Sequence, residues 1–212
     1  MSELATGLDF AFEHFLAGGG LLSASGYLRR IAGNTRNKGF LVDGLWVAMP
    51  VNTGAARARG IELEGKFSLR AWYRRAPAID VRASLARNWS TLDGVPGPHN
   101  RLDSQTPFSA NLGVDYKADR LPVTVGASYS FQNGGAVRFS ANEFDYTTPK
   151  RVLDLYALVK FDAKHQLRVS VANALHQDYM TATTWVDRGG VLSDAGFAPT
   201  STVLRAVLEL KL

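Results

Sequence analysis

The chain has 212 residues, no cysteine and a formal net charge of +5, so one domain over residues 1–212 is expected and disulfides and thiolate metal sites are excluded. No run of eighteen apolar residues occurs, which excludes a transmembrane helix. The arginines are scattered along the chain and accompany no nucleic-acid-binding motif, so we expect no nucleic-acid partner and assign the arginines to a polar, water-facing surface.

Strict alternation of apolar and polar residues recurs through the chain and predicts about nine long strands. The first of them places Leu8, Phe10 and Phe12 on one face. In chain order the predicted strands are LATGLDFAFEHFL, LLSASGYLRRI, ARGIELEGKFSLRAW, IDVRASLARNW, PFSANLGVDY, PVTVGASYSFQ, RVLDLYALVKF, QLRVSVANALHQDY and STVLRAVLELKL. Because no stretch has convincing helical periodicity, the fold class is predicted as all-β.

The connections between these strands alternate between short and long. Short turns are predicted at Ala17–Gly20, roughly Ala71–Ala78, Ala118–Leu121 and Asp162–His165, and long loops at about Ala32–Thr53, Ser90–Gln105, Asn133–Pro149 and Gln177–Pro199. Transmembrane β-barrels have short periplasmic turns and long extracellular loops. The pattern therefore predicts an antiparallel transmembrane barrel wall whose apolar face meets outer-membrane lipid and whose polar face is wet.

Two alternatives share the alternating pattern. A soluble β-sandwich binding module also alternates, although it rarely combines strands this long with long loops at only one end. A small autonomous outer-membrane barrel with a structural or enzymatic function is the other alternative. Detergent dependence would separate the soluble alternative from both membrane interpretations.

Four segments in order resemble the C-terminal half of a TonB-dependent outer-membrane receptor. They are GLDFAFEHFLAGGGLLSASGYLRRI, NTGAARARGIELEGKF (Asn52–Phe67), QTPFSANLGVDY and VSVANALHQDYM. The resemblance implies a 22-stranded barrel occluded by an N-terminal plug, which imports a scarce ligand such as a ferric siderophore with energy delivered through TonB.

The chain departs from the family pattern in several respects. We expect no signal peptide, no plug and no TonB-contacting segment, and the chain ends in Leu212 where outer-membrane proteins commonly end in an aromatic residue. The expectation is therefore a partial barrel, the C-terminal part of a receptor, whose plug and remaining barrel half are missing. Nine strands is also an odd number, whereas single-chain bacterial barrels close with even numbers.

Enzymatic chemistry has little support. The four histidines share no metal-ligand spacing, and a Ser/His/Asp site using His176 and Asp178 lacks a nucleophile motif. We predict no enzyme activity, no cofactor and no metal site.

Candidate site residues fall into two groups. The first group contains charged residues that are predicted to face the lumen: Glu62, Glu64, Lys66, Arg82 and Arg168. The resemblance implies that the two glutamates could also face arginines of the plug. Aromatic and basic residues of the long loops are candidates for contacting an anionic or aromatic small-molecule ligand such as a metal chelate. They are Trp46, His99, Arg101, Arg138, Tyr146, Trp185 and Arg188.

Overall fold

A single antiparallel sheet dominates the fold. The computed structural model describes residues 3–16, 18–42, 45–103 and 105–210, and 69% of the structure is strand. The sheet contains nine strands, each hydrogen-bonded to the next in this order: β1 (Leu4–Leu16), β2 (Gly20–Ala32), β5 (Ala56–Ser68), β6 (Ala78–Leu92), β7 (Phe108–Lys117), β8 (Val123–Gln132), β11 (Lys150–Lys160), β12 (His165–Ala172) and β15 (Val203–Leu210). The predicted all-β class and antiparallel nine-stranded sheet are confirmed.

The register sorts the side chains of this sheet onto two faces. Phe12 pairs with Ala24, Ala24 pairs with Leu63, and Leu63 pairs with Leu85, so the apolar members of neighbouring strands lie side by side. We call this the outer face and the opposite one the inner face. Because side chains alternate along a strand, most polar residues of these strands are directed to the inner face.

The outer face is an exposed apolar surface. Leu8 and Phe12 are 71% and 66% exposed, and among the described residues β1 packs extensively only against β2 of its own sheet, so no second sheet covers them. Contiguous apolar surface on this scale is not stable in water. The strands of 13 residues in β1, β2 and β5 exceed the length of about 9–11 residues that a tilted strand needs to cross a bilayer. A lipid-facing wall accounts for both observations, and a two-layer β-sandwich does not.

Two predicted strand ends differ from the structure. The segment predicted as a strand through Trp72 leaves the sheet after Ser68 and forms a four-residue helix, α1 (Leu69–Trp72), in which the Trp72 ring stacks on Phe67 at a centroid distance of 4.7 Å. Strand β12 ends at Ala172, so Leu175 does not continue its apolar face. The described residues contain no helix long and apolar enough to cross a membrane.

The long loops contain strands of their own. β3 (Thr35–Val42) and β4 (Leu45–Asn52) form a hairpin, and a second sheet has the order β14 (Gly190–Ala198), β13 (Tyr179–Asp187), β10 (Glu143–Thr147) and β9 (Gly135–Arg138). This second sheet joins two loops that are separate in sequence, because Phe144 of β10 pairs with Thr184 of β13. The loops therefore form an ordered layer at one end of the nine-stranded sheet.

The short connections lie at the opposite end, and apart from the one that contains α1 they are tight turns. Gly18 and Gly19 adopt φ values of 86° and 87°, a conformation that glycine adopts without steric cost. Between β11 and β12, the Asp162 carboxylate accepts the backbone N–H groups of Lys164 and His165 at 2.7 and 2.8 Å. These hydrogen bonds hold the pKa of Asp162 below its ordinary value.

The compact core of the described residues lies under the loops. Ala56 and Leu92 are fully buried and pack with Val95, against which Ile31 and Leu102 are partly buried. This cluster joins the long-loop ends of β2, β5 and β6 to the loop that follows β6. Elsewhere the nine-stranded sheet is a single layer. Its edge strands, β1 and β15, each have one hydrogen-bonded neighbour among the described residues.

Candidate functional site

The five predicted lumen-facing residues lie on one face of the sheet. Lys66 pairs with Arg82, and the register places Glu62, Glu64 and Arg168 on the same inner face. Glu64, Lys66 and Arg82 line a groove of about 340 Å³. Arg82 and Arg168 line a second groove of about 690 Å³, so Arg82 is shared by the two.

A hydrogen-bonded bridge crosses the inner face between Arg82 and Arg168. Asp115 of β7 accepts hydrogen bonds from Arg82 and from the Tyr156 hydroxyl, and the Arg168 guanidinium lies 4.2 Å from the centre of the Tyr156 ring. The Tyr156 side chain reaches Asp115 by passing over Gly126 of β8. A Cβ atom at Gly126 would lie 2.3 Å from the Tyr156 ring and 2.4 Å from the Asp115 carboxylate, so the bridge requires glycine there.

A second bridge of the same design ties a loop to the sheet. The Tyr27 hydroxyl donates to Asn88 at 2.9 Å across Gly60, where a Cβ would lie 2.4 Å from the Tyr27 ring. Gln105 donates to the Tyr27 hydroxyl at 3.0 Å, and Asn88 donates to the Thr106 carbonyl at 2.9 Å. The loop between β6 and β7 is thereby held over the inner face.

Glu62, Glu64 and Lys66 have no ion-pair partner within the part of the chain that the structure describes. Charges on a barrel wall must be hydrated or paired, because burying them unpaired is costly. Pairing of the two glutamates with a plug stays a prediction.

Three long loops bring together an arginine cluster, formed by Arg36, Arg101 and Arg138. Arg36 of β3 is only 7% exposed and donates to the Arg101 carbonyl at 3.0 Å. Arg101 donates to the Gly135 carbonyl at 3.4 Å, and the Arg138 N–H donates to the His99 carbonyl at 2.8 Å. Backbone contacts thus hold the three side chains in one layer of loops.

The arginine cluster has more positive charge than its surroundings neutralise. Its one carboxylate partner among the described residues is Asp103, 3.5 Å from Arg36. Phe139 and Phe144 present their rings to Arg36 and Arg138 at 4.8 and 4.5 Å, which stabilises the cations without neutralising them. Burial lowers the pKa of Arg101 through the cost of desolvating its charge.

Several N–H groups of the arginine cluster lack acceptors. These buried atoms are Nε and Nη1 of Arg36, Nε of Arg101 and Nε of Arg138. An unsatisfied buried donor costs about 1–3 kcal/mol, and more when it is charged. Next to Arg101 lies a polar pocket of about 170 Å³ that also contains Lys150 and Gln105. The arrangement can therefore bind a small anion that supplies several oxygen acceptors.

The remaining loop candidates are distributed over other strands and turns of the loops, and two of them share a sheet with Arg138. Tyr146 of β10 and Trp185 of β13 belong to the four-stranded sheet, and Arg188 lies in the exposed turn between β13 and β14. Trp46 is in β4, opposite Leu41, and its side chain lies outside the described part of the structure. Sequence reasoning selected Arg101, Arg138 and His99, which come together, but missed Arg36, which no local motif distinguishes from the other arginines.

No catalytic arrangement stands out in the described residues. Asp178 accepts the backbone N–H of Thr200 at 2.8 Å, and His176 lies in a turn with φ 47°. Within the described ranges, no group of three or more His, Asp or Glu side chains is positioned to hold a metal ion.

Comparison with known proteins places this architecture in a family. Neither a curated protein nor a solved structure matches the chain. A family model does match: residues 2–174 correspond to the model described as TonB dependent receptor-like, beta-barrel, which accounts for the long strands, the exposed apolar face and the polar inner face. The chain therefore belongs to the TonB-dependent receptors, an outer-membrane receptor and transporter family of Gram-negative bacteria.

Proposed function

We propose that this chain contributes the ligand-contacting loops and part of the wall of a receptor that imports a small anionic ligand, such as a ferric siderophore. The arginine cluster is the observation that indicates an anionic ligand, because its three guanidinium groups have one carboxylate partner among the described residues and retain N–H groups without acceptors. Carboxylate, catecholate or hydroxamate oxygens of a metal chelate would accept these hydrogen bonds, and planar guanidinium groups are suited to bidentate contacts with such oxygens.

The proposed route of the ligand runs from the loops along the inner face. Support for this route comes from the two grooves there, which Arg82 joins. In the proposal, Glu62 and Glu64 pair with arginines of a plug domain, and TonB acts on that plug. The chain itself does no bond chemistry, and the metal of the chelate is cargo.

We also propose that strands outside this chain complete the barrel. The support is the open sheet, because β1 and β15 each pair on one side only among the described residues. Each unpaired N–H or C=O group in lipid costs several kcal/mol. The total for two unpaired strand edges exceeds a domain stability of about 5–15 kcal/mol. Refolding the isolated chain in detergent should therefore give no monodisperse, heat-modifiable monomer, whereas co-assembly with the missing strands should.

Uptake measurements test the ligand class. In iron-starved cells, Arg101→Gln and Arg138→Gln should each raise the concentration needed for half-maximal uptake of an anionic ferric chelate by about tenfold, as expected for a lost charge-assisted hydrogen bond of about 1.4 kcal/mol. Hydroxamate, catecholate and carboxylate chelates of radiolabelled iron serve as probes. Arg74→Gln, at an exposed position near the short turn, is the charge-matched control.

The conservative variant separates ligand contact from loop folding. Arg138→Lys keeps the charge but loses the guanidinium fork, so it should recover part of the affinity for an anionic chelate and none of the preference for bidentate oxygens. The proposal would be contradicted if Arg101→Gln, Arg138→Gln and Arg138→Lys all took up every anionic chelate with the same half-maximal concentration as the wild type. An equal loss in Arg74→Gln would also contradict it.

A further inference from the structure

Four arginines on the neighbouring strands β2, β5 and β6 lie together on the mostly apolar outer face, at the end of the sheet near the long loops. Arg151 of β11 also faces outward at this end but lies apart from them. We call Arg30, Arg57, Arg59 and Arg87 the outer-face arginines. The register places them together: Arg30 pairs with Arg57 on the next strand, and Arg59 pairs with Trp89. Arg87 pairs with Ile61 one row closer to the middle of the sheet. These positions alternate with buried inner-face residues such as Ala58, so the four side chains are directed away from the barrel interior.

The outer-face arginines differ from Arg29 and Arg82 of the inner face in their partners. On the inner face, Arg29 forms an ion pair with Asp9 at 2.8 Å, and Arg82 pairs with Asp115. In the described residues, no carboxylate pairs with Arg30, Arg59 or Arg87. The fourth, Arg57, is 3.7 Å from the exposed Asp93, a distance and setting at which an ion pair contributes little. The described part of the chain therefore does not supply their counter-charge.

The two ends of the outer face are chemically different. At the short-turn end, these three strands and the adjacent β1 present Leu16, Leu22, Phe67 and Val81 on this face and no Lys or Arg. On these strands, outward-facing Lys and Arg side chains thus lie near one membrane boundary only. An anionic partner distributed equally in both leaflets would not account for this asymmetry, whereas one restricted to a single leaflet would.

An open groove joins the arginines to apolar surface. Its volume is about 1200 Å³, and Leu8, Leu28, Arg30, Arg57, Arg59 and Trp89 contribute to its lining. The Trp89 ring has the Arg59 and Arg87 guanidinium groups at 5.6 and 5.4 Å from its centre. Tryptophan is enriched where hydrocarbon meets the polar headgroups, and stacking on it restrains both guanidinium groups without neutralising them.

We propose that the outer-face arginines bind the phosphorylated headgroup of a lipid in the outer leaflet, with its acyl chains along Leu8 and Leu28. Guanidinium groups bind phosphate by two parallel hydrogen bonds. On a lipid-facing strand, an arginine is tolerated near the membrane interface but is costly at the membrane midplane. The inference rests on the proposed orientation, with the long loops outside, and adds a lipid site that ligand import does not require.

Binding of a phosphorylated lipid to the purified receptor barrel tests this proposal. The probe is a glycolipid with two phosphates in mixed detergent micelles, compared with the same glycolipid after phosphatase treatment. We expect the double variant Arg59→Gln/Arg87→Gln to bind the phosphorylated form at least about tenfold more weakly, and the dephosphorylated form to bind weakly to every variant. Arg74→Gln/Arg75→Gln removes the same charge at the opposite end and should bind like the wild type.

Each result decides for or against the lipid site. Unchanged affinity in the double variant, or an equal loss in the control, would overturn it. Displacement of the glycolipid by millimolar inorganic phosphate would show a site for free phosphate and would also overturn it. If the double variant does not assemble, Arg59→Gln alone is measured, and wild-type affinity there has the same consequence. Chelate uptake by these variants should remain normal, so failure of this inference is distinguishable from failure of the proposed import function.

Discussion

Replacing Gly126 with alanine would place a methyl group in the space that Tyr156 and Asp115 share above β8. The added Cβ would lie 2.3 Å from the Tyr156 ring and 2.4 Å from an Asp115 oxygen, both shorter than any normal contact. The Tyr156 ring must therefore move, and its hydrogen bond to Asp115 is lost. Overpacking costs about 1–3 kcal/mol and the lost hydrogen bond to a charged group about 1.5–3 kcal/mol, so we expect a total of about 2.5–6 kcal/mol.

Gly113→Ala is a matched control for this substitution. Gly113 lies on the inner face of the neighbouring strand β7, and a Cβ there would be 3.7 Å from its nearest neighbour, Arg82, which is an ordinary contact. Because alanine also restricts the unfolded chain, Gly113→Ala should be neutral or stabilise the barrel by up to about 1 kcal/mol. The pair of variants thus separates steric overlap from the general effect of replacing glycine in a strand.

Urea unfolding of the assembled barrel in lipid vesicles, followed by tryptophan fluorescence, measures the free energy of unfolding for each variant. In a Tyr156→Ala background the penalty of Gly126→Ala should largely disappear, because the ring that obstructs the methyl group is gone. Equal costs for Gly126→Ala and Gly113→Ala would refute the bridge. So would a penalty that persists in full without the Tyr156 ring.

Val171→Arg should impair assembly of the complete barrel and Ser170→Arg should not, because a lipid-facing arginine at mid-membrane costs about 2–4 kcal/mol; equal heat-modifiable gel mobility would contradict the assigned faces. A cysteine at Asn142 should react with an impermeant reagent on intact cells and one at Asp119 should not, and the reverse labelling would contradict the orientation. Since backbone N–H groups lower the pKa of Asp162, the stability of its turn should be complete above the ordinary value of 3.8 and be lost as the pH falls through the lower folded pKa. Turn amide chemical shifts should report this transition, and its persistence in Asp162→Asn would argue against the carboxylate.

The sequence predicted the types of residue in the candidate site better than it predicted which of those residues lie together. Arg101 and Arg138 could be selected because arginines in long loops suit anionic ligands, and the structure brings both together. Arg36 could not, since its burial depends on the packing of the β3–β4 hairpin near Arg101 and Asp103. Tyr146 and Trp185 met the same criteria as Arg101, yet they share a sheet with Arg138 and not with Arg36 or Arg101. Contacts between loops are non-local, and residue type does not specify them.

The sequence by itself determined the all-β class, the nine strands of the main sheet and the face on which each strand side chain lies. The reason is that side-chain direction alternates with every residue, so the apolar pattern of one strand is readable without its neighbours. The tertiary structure decided what crosses between strands and loops: the bridges over Gly60 and Gly126, the end of β5 at Ser68, the strands inside the long loops and the grouping of the outer-face arginines. Each of these depends on register or on packing between distant segments, and such contacts exist only after the strands have paired.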